Sequence, residues 1–301
     1  MRQKTLKTSC RFEGKGLHTG GFANMTVNPA PVGNGISFHR TDLGPDAFIK
    51  ASASNVSNTA RSTTISDGSA SAVTIEHIMS ALTGLGIDNA IIEIDGPEIP
   101  ILDGSAKPYV DAFTKAGIIE QDAERVYTTI KETIEIKDEK SGSWIRIEPA
   151  DELSYDIVLD FNSKVLGEQA IKWDGTKEYA SEIAPCRTFV FFHELEFLFS
   201  NNLIKGGDVD NAIVIAEHPV SDAQLDNICS LLNKPKLQVN ANGYLNNLEL
   251  HFSDECGRHK LLDLIGDLRL CGFLKAKVSA FKPGHSLNTR AAKAIIESAR
   301  K

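Results

Sequence analysis

The chain reads as an α+β protein built of two sheet-and-helix layers. Three observations lead there. Strand-like runs dominate the start of each half, and helical periodicity comes late in each. A polar stretch over 118–125 separates the halves, dividing the chain into 1–124 and 125–301. The length, 301 residues, fits two domains or one large one at roughly 150 residues per domain.

The elements follow in order. Strand-like text over 5–12 leads into the glycine-rich run 14–21, and a second strand covers 22–28. Asp67-Gly68 between 61–65 and 70–74 signals a hairpin. Ile75, Ile78, Met79 and Leu82 recur at i, i+3, i+4 and i+7, a short amphipathic helix closed by Gly84 and Gly86. A buried strand at 90–94 follows, then a turn at 101–105, then a helix over 106–116 ended by Gly117. The second half restarts as a meander: strand text at 127–137, a return at 144–147, and apolar alternation through Leu153, Tyr155, Ile157, Leu159 and Phe161. An apolar run at 189–192 precedes a helix at 194–200 and a strand at 212–215. Helices over 254–270 and 288–299 close the chain. No internal sequence repeat is visible.

Hydrophobic residues make up 42% and charged residues 24% of the chain, which excludes disordered, collagenous and disulfide-scaffold classes. With 32 basic against 40 acidic residues, the net charge of -8 argues against a general nucleic-acid binder. One phosphorylated small molecule needs only one or two local cations and stays open. No apolar run approaches the ~18 residues of a spanning helix, and the first residues lack the apolar stretch of a signal peptide. Five cysteines without CxxC spacing suggest a reducing cytoplasm and no thiolate zinc site.

Four constellations could carry chemistry. On the 254–270 helix, His259, Asp263 and Asp267 stand at i, i+4 and i+8 and share one stripe, opposite the apolar stripe of Leu261, Leu264, Ile265 and Leu268. His and Asp one turn apart can reach one metal ion; on the spacing alone, a solvated face with helix-supporting pairs is the favoured reading. Glu76-His77 opens the first helix. One could bind metal while the other stands over metal-bound water, or Glu76 complements the helix N-terminus and His77 lies on the surface. His285 follows a Pro-Gly turn near a helix start, whose positive end disfavours imidazolium unless a carboxylate such as Asp267 holds the charge. The run 14–20 (GKGLHTG) resembles a phosphate cradle but lies between strands, so it reads as a bulged loop with His18 near a ligand. HExxH and GxSxG are absent. The remaining His/His/Asp set, His77 with His259 and Asp263, has the three-ligand form of catalytic zinc.

Taken together these segments resemble one family, the zinc-dependent UDP-3-O-acyl-N-acetylglucosamine deacetylases of lipid A biosynthesis. The matching strings run in order from end to end: Thr5-Leu6-Lys7, GKGLHTG at 14–20, Pro29-Ala30-Pro31, Arg40-Thr41-Asp42-Leu43, Thr74-Ile75-Glu76-His77 and GLGIDN at 84–89. EIPILDGSA at 98–106, Arg187-Thr188-Phe189, Gly206-Gly207, Asp210-Asn211-Ala212, RHKLLDLIGDL at 258–268, Gly284-His285 and Leu287-Asn288 complete the set.

The resemblance implies two α/β sandwich domains with the active site between them. It implies one catalytic zinc on His77, His259 and Asp263, with Glu76 as general base. His285, oriented by Asp267, would act as general acid or electrostatic stabiliser, and Thr188 would hydrogen-bond the developing oxyanion. Lys260 and His18 would meet the sugar or diphosphate. The apolar insert near 189–205 would enclose the acyl chain of a nucleotide-sugar lipid, with Phe189, Phe191, Phe192 and Leu198 as lining. A non-catalytic binder of such a lipid and a zinc amidase on another N-acetyl sugar are the rival readings. The long segment 234–254 resembles versions fused to a hydroxyacyl-carrier-protein dehydratase, of which no segment is expected within these 301 residues. The spacing from Asp267 to His285 is one residue short of some relatives, which predicts a shortened loop near 273–277.

Overall fold

The computed structural model describes residues 1–175, 178–201, 205–208, 210–232 and 234–300. The fold is α+β and is organised by two large sheets of the same design. Across the first, the strands run Cys10–Lys15, Phe22–Pro29, Ala90–Ile94, Ile36–Arg40 and Phe48–Lys50. The strand last in sequence is central, antiparallel to Phe22–Pro29 and parallel to Ile36–Arg40. Across the second, the order is Ile134–Asp138, Ser143–Pro149, Phe273–Phe281, Ser154–Asp160 and Glu168–Trp173. Again the last-made strand is central, antiparallel on one side and parallel on the other.

A parallel pairing needs a crossover, usually helical. The first central strand is entered from the helix Glu76–Gly84 and the second, after a short 3-10 turn, from the helix Glu255–Leu268. Lys107–Ala116 and His285–Ala299 follow the two central strands. Period-two burial explains why these strands sit inside. Ala90, Ile92 and Ile94 are buried in one, and Leu274, Ala276, Val278 and Ala280 in the other.

The Glu76 helix packs directly on the His259 helix. Gly266 permits that contact, because a Cβ there would overlap the Glu76 carbonyl oxygen. Leu261, Leu264, Ile265 and Leu268 are buried in one core cluster shared with residues of the first sheet, each fully buried aliphatic contributing roughly 1.5–3 kcal/mol. Two smaller clusters lie under the 189–232 region. One joins Phe192, Leu195 and Leu198 to Leu225 and Ile228 of the helix Asp222–Leu232.

Several expected elements differ in the structure. The polar stretch at 118–125, expected as the boundary between the halves, forms a strand, Ile118–Glu124, paired antiparallel with Arg2–Leu6. No residue of Ile118–Glu124 is buried, so it needs no apolar alternation and its text is polar, while its partner buries Gln3, Thr5 and Leu6. The run at 5–12 divides into Arg2–Leu6 and Cys10–Lys15. The shortened loop expected at 273–277 is the start of the nine-residue central strand Phe273–Phe281. The last helix begins at His285, three residues before the expected 288, which puts His285 in its first turn.

Candidate active site

The two packed helices bring their polar residues together in the interior. Glu76 and His77 are 2% and 5% exposed, and His259, Asp263 and Asp267 are 1%, 2% and 0% exposed. The solvated-face reading of both stripes is therefore excluded. His77 Nε2 and His259 Nε2 lie 3.6 Å and 3.4 Å from Asp263 Oδ1. The three ligand atoms fall within 4.8 Å of one another. Asp263 Oδ1 is buried without a hydrogen-bond partner among the described residues.

These spacings fit a tetrahedral dication. At the roughly 2.0–2.1 Å bond lengths of zinc to nitrogen and oxygen, tetrahedral neighbours stand ~3.3–3.4 Å apart. The second ring nitrogen of His259, Nδ1, is 2.9 Å from the Cys186 carbonyl, which fixes the tautomer with Nε2 free. Electrostatics favour the ligand forms. Burial lowers His259 to about 4, against the pull of Asp263, so its imidazole is neutral at pH 7. Burial opposes ionisation of Asp263, but Lys260, His259 and His77 outweigh it and hold the carboxyl well below its usual range. Lys260 donates to Asp263 Oδ2 at 2.9 Å.

The second cluster is centred on Asp267. Its Oδ2 meets His285 Nδ1 at 3.0 Å and accepts from Asn288 Nδ2 at 2.9 Å, and its Oδ1 accepts from the Thr63 hydroxyl at 2.5 Å. The Thr63 backbone N–H donates to Glu76 Oε2 at 3.0 Å, leaving Oε1 3.9 Å from His285 Nε2. Burial raises the Glu76 carboxyl to about 7, with His285 and His77 pulling it down. Burial disfavours the His285 imidazolium, but the carboxylates of Asp267, Glu76 and Asp263 outweigh that and raise it to about 9. Between these values Glu76 is ionised while His285 is protonated, the pairing that general base and general acid need.

Both clusters open on one cavity of about 420 Å³. Of the residues expected in the site, Glu76, His77, His259, Lys260, Asp263 and His285 line it, as do His18, Thr188, Phe189, Phe191 and Leu198. Asp267 lies behind His285. Phe192 is a correction: it packs into the cluster with Leu225 and Ile228 and lies outside the cavity wall. Phe189 and Phe191 are two apart on the short strand Phe189–Phe191 and share a face, whereas Phe192 is the next step. The Phe199 side chain and residues 202–204 of the expected insert lie outside the described residues.

Three contributors escaped the sequence reading. Thr63 ties Glu76 to Asp267, through its N–H and its hydroxyl, yet sits in what reads only as a hairpin arm. Phe161 lines the cavity and packs edge-on to Phe189 and Phe191 at 5.7 Å and 5.6 Å; it reads as one more member of an alternating strand. Glu98, 1% exposed, gathers the glycine-rich loop. Its carboxylate accepts from the His18 and Thr19 backbones at 2.9 Å and 2.7 Å, and from the Thr19 and Thr74 hydroxyls at 2.7 Å and 2.8 Å. The only signal for it was its place at the head of the EIPILDGSA string.

A family model described as UDP-3-O-acyl N-acetylglycosamine deacetylase matches residues 3–227 and 232–297. The chain is 43% identical over 295 residues to a "Bifunctional enzyme LpxC/FabZ" of Porphyromonas gingivalis, covering 98% of this chain and 64% of that protein. It is 42% identical over 301 residues to the protein of the same name from Bacteroides thetaiotaomicron, covering all of this chain and 65% of that one. It is 40% identical over 304 residues to a "UDP-3-O-acyl-N-acetylglucosamine deacetylase" of Saccharophagus degradans, covering 99% and 91%. The chain thus spans about two thirds of the length of its bifunctional relatives.

Proposed function

The chain belongs to the UDP-3-O-acyl N-acetylglycosamine deacetylase family, and from that premise we propose that it hydrolyses the N-acetyl group of UDP-3-O-acyl-N-acetylglucosamine, a step of lipid A biosynthesis. The products are acetate and the free glucosamine amine. The carrying observation is the convergence of a three-ligand set with an ionisable Glu76 and a protonated His285 on one cavity. A binding-only role would not need that pair of proton carriers.

His77, His259 and Asp263 would hold one zinc ion. When bound, zinc supplies Lewis acidity, polarising the acetyl carbonyl and lowering the pKa of water from 15.7 towards ~7. Glu76 takes a proton at Oε1 from the attacking water, its Oε2 being tied to Thr63. As the new C–O bond forms and the C–N bond breaks, His285 gives the proton on Nε2 to the departing nitrogen. Asp267 keeps His285 oriented and charged through Nδ1. Thr188 is placed by its N–H to the Gly104 carbonyl at 2.9 Å, and its hydroxyl would donate to the carbonyl oxygen as charge develops. Lys260 and His18 would meet the sugar or diphosphate, and Phe189, Phe191 and Leu198 the acyl chain.

Residues 1–124 and 125–301 would form the two domains around the site. The five cysteines, all free and buried, support a cytoplasmic, reducing setting, and no helix among the described residues is long and apolar enough to cross a membrane. The bifunctional relatives support operation fused to, or beside, a hydroxyacyl-carrier-protein dehydratase. An acetate-release assay on the zinc-loaded chain tests the proposal. At roughly 0.8 kcal/mol per buried CH₂, removing the O-acyl group should lower kcat/KM by orders of magnitude. No acetate release from the acylated substrate would refute the reaction; equal turnover of both substrates would refute the acyl passage.

A further inference from the structure

A second cavity, of about 340 Å³, lies between the two halves, away from the catalytic cluster. Its volume falls within the range of small-molecule pockets. One wall comes from the first half, with Ile36, Lys50 and Met79, and the other from the second, with Arg269, Leu270 and Ile296. Met79 is on the helix of Glu76, and Arg269 directly follows the helix of His259.

The charges on this wall do not balance. Its one carboxylate, Asp88, is fully engaged: Arg125 grips it through Nε and Nη2, both at 2.8 Å, and the Lys4 N–H donates to it at 2.7 Å. That leaves Arg269 and Lys50. Arg269 is 7% exposed, and no carboxylate among the described residues lies within ion-pair distance of it. Its Nη2 donates to the Ile87 carbonyl at 3.0 Å and reaches the Asp88 carbonyl at 3.5 Å. Its Nε and Nη1 have no protein acceptor among the described residues. The guanidinium plane is held against Phe273, which also meets Arg125; the two Cζ atoms stand 3.5 Å and 3.8 Å from the ring centroid, room for only one on each face. A rigid, buried guanidinium that makes no direct ion pair among the described residues and keeps spare donors on a cavity wall is suited to a planar or tetrahedral anion. The remaining wall is largely apolar.

We propose that this cavity binds a small organic anion, a carboxylate or phosphate with a short apolar body, through Arg269 and Lys50. The head group would sit against Arg269, with Lys50, exposed at the rim, adding long-range attraction, and the body would lie against Ile36, Met79 and Ile296.

Calorimetric titration of the full chain with inorganic phosphate and with butyl phosphate tests this, together with crystals soaked in butyl phosphate. Butyl phosphate should bind at least fivefold more tightly than phosphate, with its phosphoryl group within hydrogen-bond reach of Arg269. Arg269→Met, which keeps an apolar stem over Phe273, should abolish that binding. Lys50→Glu, at an exposed position that leaves the fold intact, should weaken it at least fivefold, and so tests the site even if Arg269→Met fails to fold. Unchanged affinity in Lys50→Glu, phosphoryl density only in the catalytic cavity, or no binding at all would overturn the site. Equal affinity for the two probes would overturn its apolar half.

Discussion

The two halves of the molecule share a plan and differ in what they do with it. Each has five strands in the same order, the last-made strand central, antiparallel to one neighbour and parallel to the other, and the second sheet adds a sixth, Tyr127–Thr129, paired parallel with its central strand. In each, a helix leads into that strand, and the two equivalent helices meet at Gly266. The first-half helix supplies Glu76 and His77. The second-half helix supplies His259, Lys260, Asp263 and Asp267, and only the second half carries the 189–232 region that gives the cavity its apolar wall. Neither half alone supplies the whole set of His77, His259 and Asp263 that could hold a metal ion. The site exists because two similarly arranged halves pack together through these helices and carry different polar residues on them.

The sharpest break of this division falls on Glu76, the proposed base, supplied by the first half. Glu76→Gln should lower kcat by ~10²–10⁴, the range for a lost general base, with bound zinc unchanged. The pH profile carries the same division. Glu76 must be deprotonated to accept a proton, so the rate rises as pH passes its pKa, about 7 without metal and lower beside a dication. His285 must be protonated, so the rate falls through about 9. A profile without an alkaline limb would remove His285 from proton transfer.

A smaller loss is expected where the halves are tied by Thr63. Thr63→Val keeps the backbone N–H to Glu76 and removes the hydroxyl to Asp267. Loss of a supporting hydrogen bond of this kind typically costs 10–100-fold. The expected signature is a lower alkaline pKa, because Asp267 then holds His285 less firmly; an unchanged alkaline limb would make Thr63 merely structural. The effect on packing belongs to Gly266→Ala. A methyl against the Glu76 carbonyl should destabilise by about 1–3 kcal/mol, seen as a lower midpoint in denaturant titration. Unchanged stability would mean that the helices can separate without loss.

Much of the site was legible because it is local. His259, Asp263 and Asp267 declare themselves by helical spacing, and their apolar neighbours say which stripe is which. What spacing could not say is that the polar stripe is buried, since that depends on a second helix nearly 200 residues away in sequence. Thr63 was illegible for the same reason: its partner Asp267 lies 204 positions on. The doubled sheet plan left no sequence repeat because alternation, not residue identity, specifies a strand. The strand Phe273–Phe281 carries its alternation in Leu274, Ala276, Val278 and Ala280, a pattern passed over when the Asp267-to-His285 spacing pointed to a shortened loop there. The strand Ile118–Glu124 buries no residue and so leaves no pattern.

The account's central claim is that one metal ion is shared by ligands from both halves, and metal content measures it directly. Purified wild-type chain should carry one zinc. His77→Ala in the first half and His259→Ala in the second should each lose most of it, together with nearly all acetate release. Either variant retaining one tightly bound zinc per chain would contradict a site built across the two helices.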